Sequence, residues 1–241
     1  MAQSIKMHKI ETAPESYPVE SEEVTVSAIK KAKVTFKTTV NHIGQSEYDD
    51  ELKKLKFTHE VGGKFQGKGI LEDGSIHEII ATASTEEFPC FMKEDKYLYT
   101  SGTTRVVSTQ SLVRLKRFRK PDNQLIAQNI KLNLLDFKSY LEDSEEGNIK
   151  GGWFKGMAVK NVEVAYLGGG AVTESADWDR YETSGGEISA LRIDLPTDNL
   201  EEFTKVLLTR DGNCVVYKNF GENKLLSIAM PLFNAAEQFI E

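Results

Sequence analysis

The chain has 241 residues, a formal net charge of −7, 39% apolar and 28% charged residues. This is ordinary globular usage, and the length suits one large domain or two small ones. No run of about 18 apolar residues exists to form a membrane helix, and the moderate acidity argues against a surface that coats nucleic acid as a whole while leaving a local basic site open.

Residues 1–22 carry Pro14, Pro18 and the acids Glu11, Glu15, Glu20 and Glu22 among few large apolar residues. They read as a flexible acidic arm, with too little apolar surface to offset the entropy of ordering. They contain no secretory signal and are too acidic for a transit peptide, so the sequence predicts a cytoplasmic protein. Over 24–40 the β-branched text alternates at Val34, Phe36 and Thr38, which predicts a half-buried strand. Ser46 then stands where it would cap a helix, with Glu47, Asp49 and Asp50 in the first turn and Tyr48, Leu52 and Leu55 at helical spacing.

Asp73-Gly74 lies between two β-like runs and signals a hairpin, and Lys93-Glu94-Asp95 marks another turn. Residues 105–119 run into Lys120-Pro121-Asp122-Asn123, after which Ile126, Ile130, Leu132 and Leu134 alternate onto one face. This reads as a long hairpin. The acidic, Gly-rich stretch 142–152 is the candidate boundary, giving a β-rich part over 23–147 and an α+β part over 148–241. Val162, Val164 and Tyr166 predict a strand, and residues 168–187 a long polar connection. A short surface helix with Trp178 and Tyr181 fits within that connection. A strand is expected at 187–195. A helix begins at Asp198, paired with Glu201 as a cap and striped by Leu200, Phe203, Val206 and Leu207. A final hairpin is expected over 213–230, then a short helix over 234–241. The fold class is α+β: a mostly antiparallel sheet built from hairpins, with three or four helices.

The sharpest anomaly is electrostatic. Residues 96–121 contain no acid, yet hold Arg105, Arg114, Lys116, Arg117, Arg119 and Lys120. These six are the candidate polyanion-binding residues: on a strand Arg114 and Lys116 would share one face and Arg117 and Arg119 the other, whereas on a helix Leu112, Leu115 and Phe118 would pack and Arg114 and Arg117 would line an outer stripe. Guanidinium groups suit bidentate phosphate contact, and Phe118, Tyr97 and Tyr99 lie near enough in sequence to stack on bases. The alternatives are a solvated edge strand, or pairing of these cations with the acids at 142–146.

Glu174, Asp177, Asp179 and Glu182 in the 168–187 connection are oxygen ligands in principle, but their spacing is not that of an EF-hand loop. Its glycines fit neither a dinucleotide fingerprint nor a P-loop. His8, His42, His59 and His77 are scattered, and no zinc pattern exists. After Pro121-Asp122, Asn129 stands where a metal-dependent nuclease would need an acid. Cys90 and Cys214 read as two buried thiols. No cofactor and no metal is expected.

Three functions follow from this. The first is a non-enzymatic protein that binds nucleic acid, another polyanion or an acidic protein partner through residues 105–120. The second is a structural subunit that self-associates into an oligomer or viral particle. The third is an enzyme assembled from scattered residues, with Glu174, Asp177, Asp179 and His77 as candidates.

Overall fold

The computed structural model describes residues 2–29, 32–102, 105–144, 146–196 and 203–241. The chain divides into two units: Lys9–Gln128, and Met1–His8 with Asn129–Glu241. The division therefore falls at residues 8/9 and 128/129 rather than at residue 147.

The first elements are β1 (Gln3–Thr12), β2 (Val19–Glu20), β3 (Val24–Ile29), β4 (Ala32–Phe36), β5 (Thr38–Gln45), β6 (Leu52–Ile70), β7 (Ile76–Lys93), β8 (Tyr97–Ser101) and helix α1 (Arg105–Arg117). In the Lys9–Gln128 unit the strand order is β1-β8-β7-β6-β5-β2, and β3 pairs with β4 in a sheet of their own. Val40, Leu55, Phe57, Phe88, Cys90, Met92 and Leu98 form one core, with Leu112 and Leu115 of α1 packed into it. The Phe57 and Phe88 rings stack at 5.2 Å. Each such fully buried aromatic side chain stabilises the fold by about 2–3 kcal/mol.

Three expectations change over the elements from β1 to α1. Residues 3–12 are a strand, not part of a flexible arm: Ile5, Met7 and Ile10 are buried, and so are Lys6 and His8. Lys6 is accommodated because its Nζ donates to Asn129 Oδ1 at 2.7 Å. Ser46 caps no helix. Its Oγ accepts from Tyr48 N, Asp49 Oδ1 accepts from Glu51 N, and these local bonds build the β5–β6 turn. Residues 105–117 take the helical alternative and not the strand of a hairpin, with Arg114 turned inward instead of lining the outer stripe. Ser108, Ser111, Leu112 and Leu115 form the buried stripe, with Ser111 Oγ donating to the Ser108 carbonyl.

Strand β9 (Ile126–Asn129) is short, and helix α2 (Leu134–Ser144) takes over where the hairpin was expected to continue. Asn133 starts that helix: its Oδ1 accepts from Leu135 N and Asp136 N, and its Nδ2 donates to Asp136 Oδ2. Then follow β10 (Asn148–Lys155), β11 (Val164–Gly168), helix α3 (Ala176–Thr183), β12 (Glu187–Pro196), β13 (Phe203–Thr209), β14 (Asn213–Val216) and helix α4 (Glu222–Ala236). The strand order of the second unit is β11-β10-β12-β13-β14-β1. Asp198, Leu200 and Glu201, expected to open a helix, lie outside the described residues. Phe203–Thr209 is a strand, burying Thr204, Val206 and Leu208 in alternation. Asp211-Gly212 turns it back into β14, with Gly212 at φ +71. Residues 222–236 form one helix where a strand and then a shorter helix were expected, and it buries Leu226, Ala229, Met230 and Phe233.

The fold class is thus α+β, dominated by antiparallel sheet, with four α-helices among the described residues. No helix among the described residues is long and apolar enough to cross a membrane.

Candidate interaction surface

Helix α1 gathers the predicted basic residues, and most of them find partners within the Lys9–Gln128 unit. Arg114 turns inward: its Nη1 donates to the Lys37 carbonyl at 3.3 Å and to the Glu60 carbonyl. Burial lowers its pKa, opposed by the Glu60 charge, but a guanidinium stays charged. Lys116 Nζ pairs with Glu11 at 3.0 Å and Lys120 Nζ with Glu20 at 2.7 Å. Glu20 also accepts from Lys37, and the Lys120 bond is the main reason its carboxyl sits below the ordinary range. Arg119 donates to the Lys116 carbonyl, one of the acceptors that a helix C-terminus leaves open. Arg117 lies 5.4 Å from the Phe118 ring centre and is exposed. The side chain of Arg105 lies outside the described ones. The acids meeting these cations come from residues 11 and 20. In the 142–146 segment, Glu142 pairs with Lys138 and Glu146 accepts from Tyr140.

The outer face of α1 is unlike an ordinary solvated face. Val106, Gln110, Val113 and Arg117 recur at helical spacing, and Val106 and Val113 are 62% and 54% exposed. Two large apolar side chains stand uncovered beside cations.

The second feature is the β6–β7 hairpin, whose strands are touched by β4 and β3. Strand β5 pairs with β6 only from His59 to Lys53, and β8 pairs with β7 only from Cys90 to Lys93. Beyond those points β6 and β7 pair only with each other among the described strands. Residues 60–70 extend the hairpin past its sheet by about 35 Å at strand rise. Residues 82–87 are all exposed, without the alternation that a covered face imposes. At the root, the Phe36 ring lies over Gly62, where a Cβ would collide with it. Lys37 N donates to Glu60 Oε2 at 2.8 Å, so Arg114, Lys37 and Glu60 together fix the point where the hairpin leaves the sheet.

The tip is built rather than loose. Asp73 Oδ1 accepts from Ser75 N at 2.9 Å and from Ser75 Oγ at 2.6 Å, and these bonds hold its carboxyl below the ordinary range. Gly74, at φ +79, donates to the Leu71 carbonyl. This turn presents Ile70, Leu71 and Ile76, which are 75%, 52% and 64% exposed, beside Glu72 and Glu78. The Asp73-Gly74 signal located this turn, but the exposure of its apolar neighbours is a tertiary property.

The other candidates are divided between the two units. Glu174, Asp177, Asp179 and Glu182 belong to the α3 region, while His77 lies on β7 in the other unit. Ser75 Oγ sits 3.0 Å from His77 Nε2. Ser175 caps α3 by accepting from Trp178 N, and Trp178 Nε1 donates to Glu182 Oε2 at 3.1 Å. Trp178 is fully buried against Phe154 instead of lying on the surface. Among the described residues no group of three His, Cys, Asp or Glu side chains is placed to hold a metal ion. Cys90 and Cys214 are buried thiols, as expected. His59 is buried, with Thr38 Oγ1 2.7 Å from its Nδ1, and burial with the nearby Arg114 charge lowers its pKa to about 4. No protein-family model matches the chain, and no curated protein matches it.

Proposed function

We propose that the protein is a non-enzymatic assembly subunit that self-associates through its β6–β7 hairpin. The observation that carries this reading is the hairpin itself. A two-stranded ribbon is marginal in water by itself. Here the ribbon runs about 35 Å beyond its sheet partners β5 and β8, is touched by β4 and β3, ends in three exposed apolar side chains and is anchored at its root by Arg114. Long ribbons with unpaired edges and an apolar tip invite pairing with another chain. The basic helix supports a polyanion site less well. Arg114 is committed to backbone carbonyls, and Glu11 and Glu20 are interleaved among the remaining cations.

Size-exclusion chromatography with light scattering, at low and high salt and with the 260/280 nm absorbance ratio, tests the reading. Self-association predicts a protein-only oligomer whose mass depends on concentration. A peak that carries nucleic acid and sheds it in salt would favour the polyanion reading instead. A clean monomer at every concentration would overturn the assembly reading.

A further inference from the structure

Resting on that reading, we infer that the hairpin tip of one copy docks on the outer face of helix α1 of a second copy. The two surfaces match in chemistry. The tip offers Ile70, Leu71 and Ile76 flanked by Glu72 and Glu78. The helix offers Val106 and Val113 flanked by Arg117 and by Lys116, which shares its charge with Glu11. Each patch is apolar at its centre and charged at its margin; with Lys68 opposite Glu78 at the tip and Glu11 beside Lys116 on the helix, the margins are net negative and net positive. That is the anatomy of a specific interface, in which apolar anchors supply affinity and the charged rim fixes partner and register. Neither patch is covered by the described residues of the Lys9–Gln128 unit to which both belong.

The tip is suited to insertion. Its turn is fixed by the Asp73–Ser75 and Leu71–Gly74 bonds, so little conformational freedom remains to be lost on docking. The helix face is suited to receive it, because the buried Ser108, Leu112 and Leu115 stripe holds α1 against the core and leaves the opposite face rigid. The contact joins two different patches, so it is heterologous. It closes as a reciprocal two-copy exchange or a ring, or it propagates as a filament.

Complementary charge reversal tests the contact. One variant carries Glu72→Arg and Glu78→Arg at the tip, and leaves Asp73 to build the turn. The other carries Lys116→Glu and Arg117→Glu on the helix. Each alone is expected to self-associate at least about tenfold more weakly than the parent chain, a loss of the size expected when like charges replace opposite ones at a rim. Mixing the two restores association, because the reversed tip of one meets the reversed helix of the other. A parent chain that oligomerises with both variants unaffected, or a mixture that fails to recover, overturns this contact and leaves assembly intact. A parent chain that never associates overturns both. As a second readout, Ile76→Cys in one chain and Val113→Cys in another should form a mixed disulfide on oxidation only when the two are combined. A crosslink between two Ile76→Cys chains would place tip against tip and contradict the docking.

Discussion

Replacing Arg114 with methionine keeps the apolar stem and removes the guanidinium. The Lys37 carbonyl also accepts from Glu60 N at 3.1 Å and keeps that partner, so the loss centres on the Glu60 carbonyl at the hairpin root. A hydrogen bond from a charged donor contributes about 1.5–3 kcal/mol net, and burying the methionine offsets part of its removal. The expected cost is about 2 kcal/mol, roughly a 30-fold shift in the folding equilibrium. Lys116→Met and Lys120→Met each break one exposed pair and should cost less than about 1 kcal/mol. Urea titrations of the three variants measure this directly. Hydrogen exchange should further show that Arg114→Met loosens amides near residue 60 before those of the core. Equal stabilities for Arg114→Met and Lys116→Met would refute the anchoring role. So would an Arg114→Met chain that loses polyanion binding without losing stability, which would return this arginine to the role its sequence context suggests.

Acid should destabilise the fold earlier than carboxylate protonation alone would. His8 is held at about 3, chiefly by burial and then by the Lys6 charge, and His59 at about 4. Both folded values lie below the unfolded value near 6.5, so the unfolded chain takes up protons first. Stability is complete above about pH 6.5 and falls towards pH 4 by up to about 1.4 kcal/mol per pH unit for each histidine. Urea midpoints unchanged between about pH 7 and pH 5 would contradict this, and His59→Asn should flatten the slope. Burial pushes the Cys214 thiol up to about 12 and the Cys90 thiol well above its ordinary value. Both should resist a thiol reagent in the native protein and react fully in denaturant, whereas rapid native labelling would contradict their placement. Trp178→Ala removes a fully buried ring and its Glu182 bond and should cost about 3–5 kcal/mol by denaturant titration. A loss below about 1 kcal/mol would show that the ring does not support its unit.

What the sequence disclosed depended on whether one period dominated. The strand Glu187–Pro196 is legible because Ile188, Ala190 and Ile193 recur among polar residues. Helix α1 was legible only as an alternative to a strand: Leu112 and Leu115 mark its packed face, but the other buried positions, Ser108 and Ser111, add nothing to an apolar stripe. Helix α4 was hidden by Pro231, which a local reading takes as a stop although the apolar face continues to Phe233 and Ala236. Residues 203–209 satisfy both periods, and pairing with β12 and β14 settles them as a strand. The N-terminal strand was missed because Lys6 and His8 occupy buried positions that only long-range partners make tolerable. The cluster of cations was visible at once. Its partners Glu11, Glu20 and the Glu60 carbonyl, 54 to 105 residues away, were not. Nor did the Asp73-Gly74 turn announce how far its strands outrun their neighbours, because strand pairing is not a local property.

The measurement that bears most directly on the assembly account is light scattering of the parent chain beside an Ile70→Ser, Ile76→Ser variant over a concentration series. The account predicts a protein-only oligomer for the parent and a monomer for the variant, with the two far-UV circular dichroism spectra superimposing at a temperature where both are folded. A monomeric parent, or an oligomer that survives loss of both tip side chains, would contradict it.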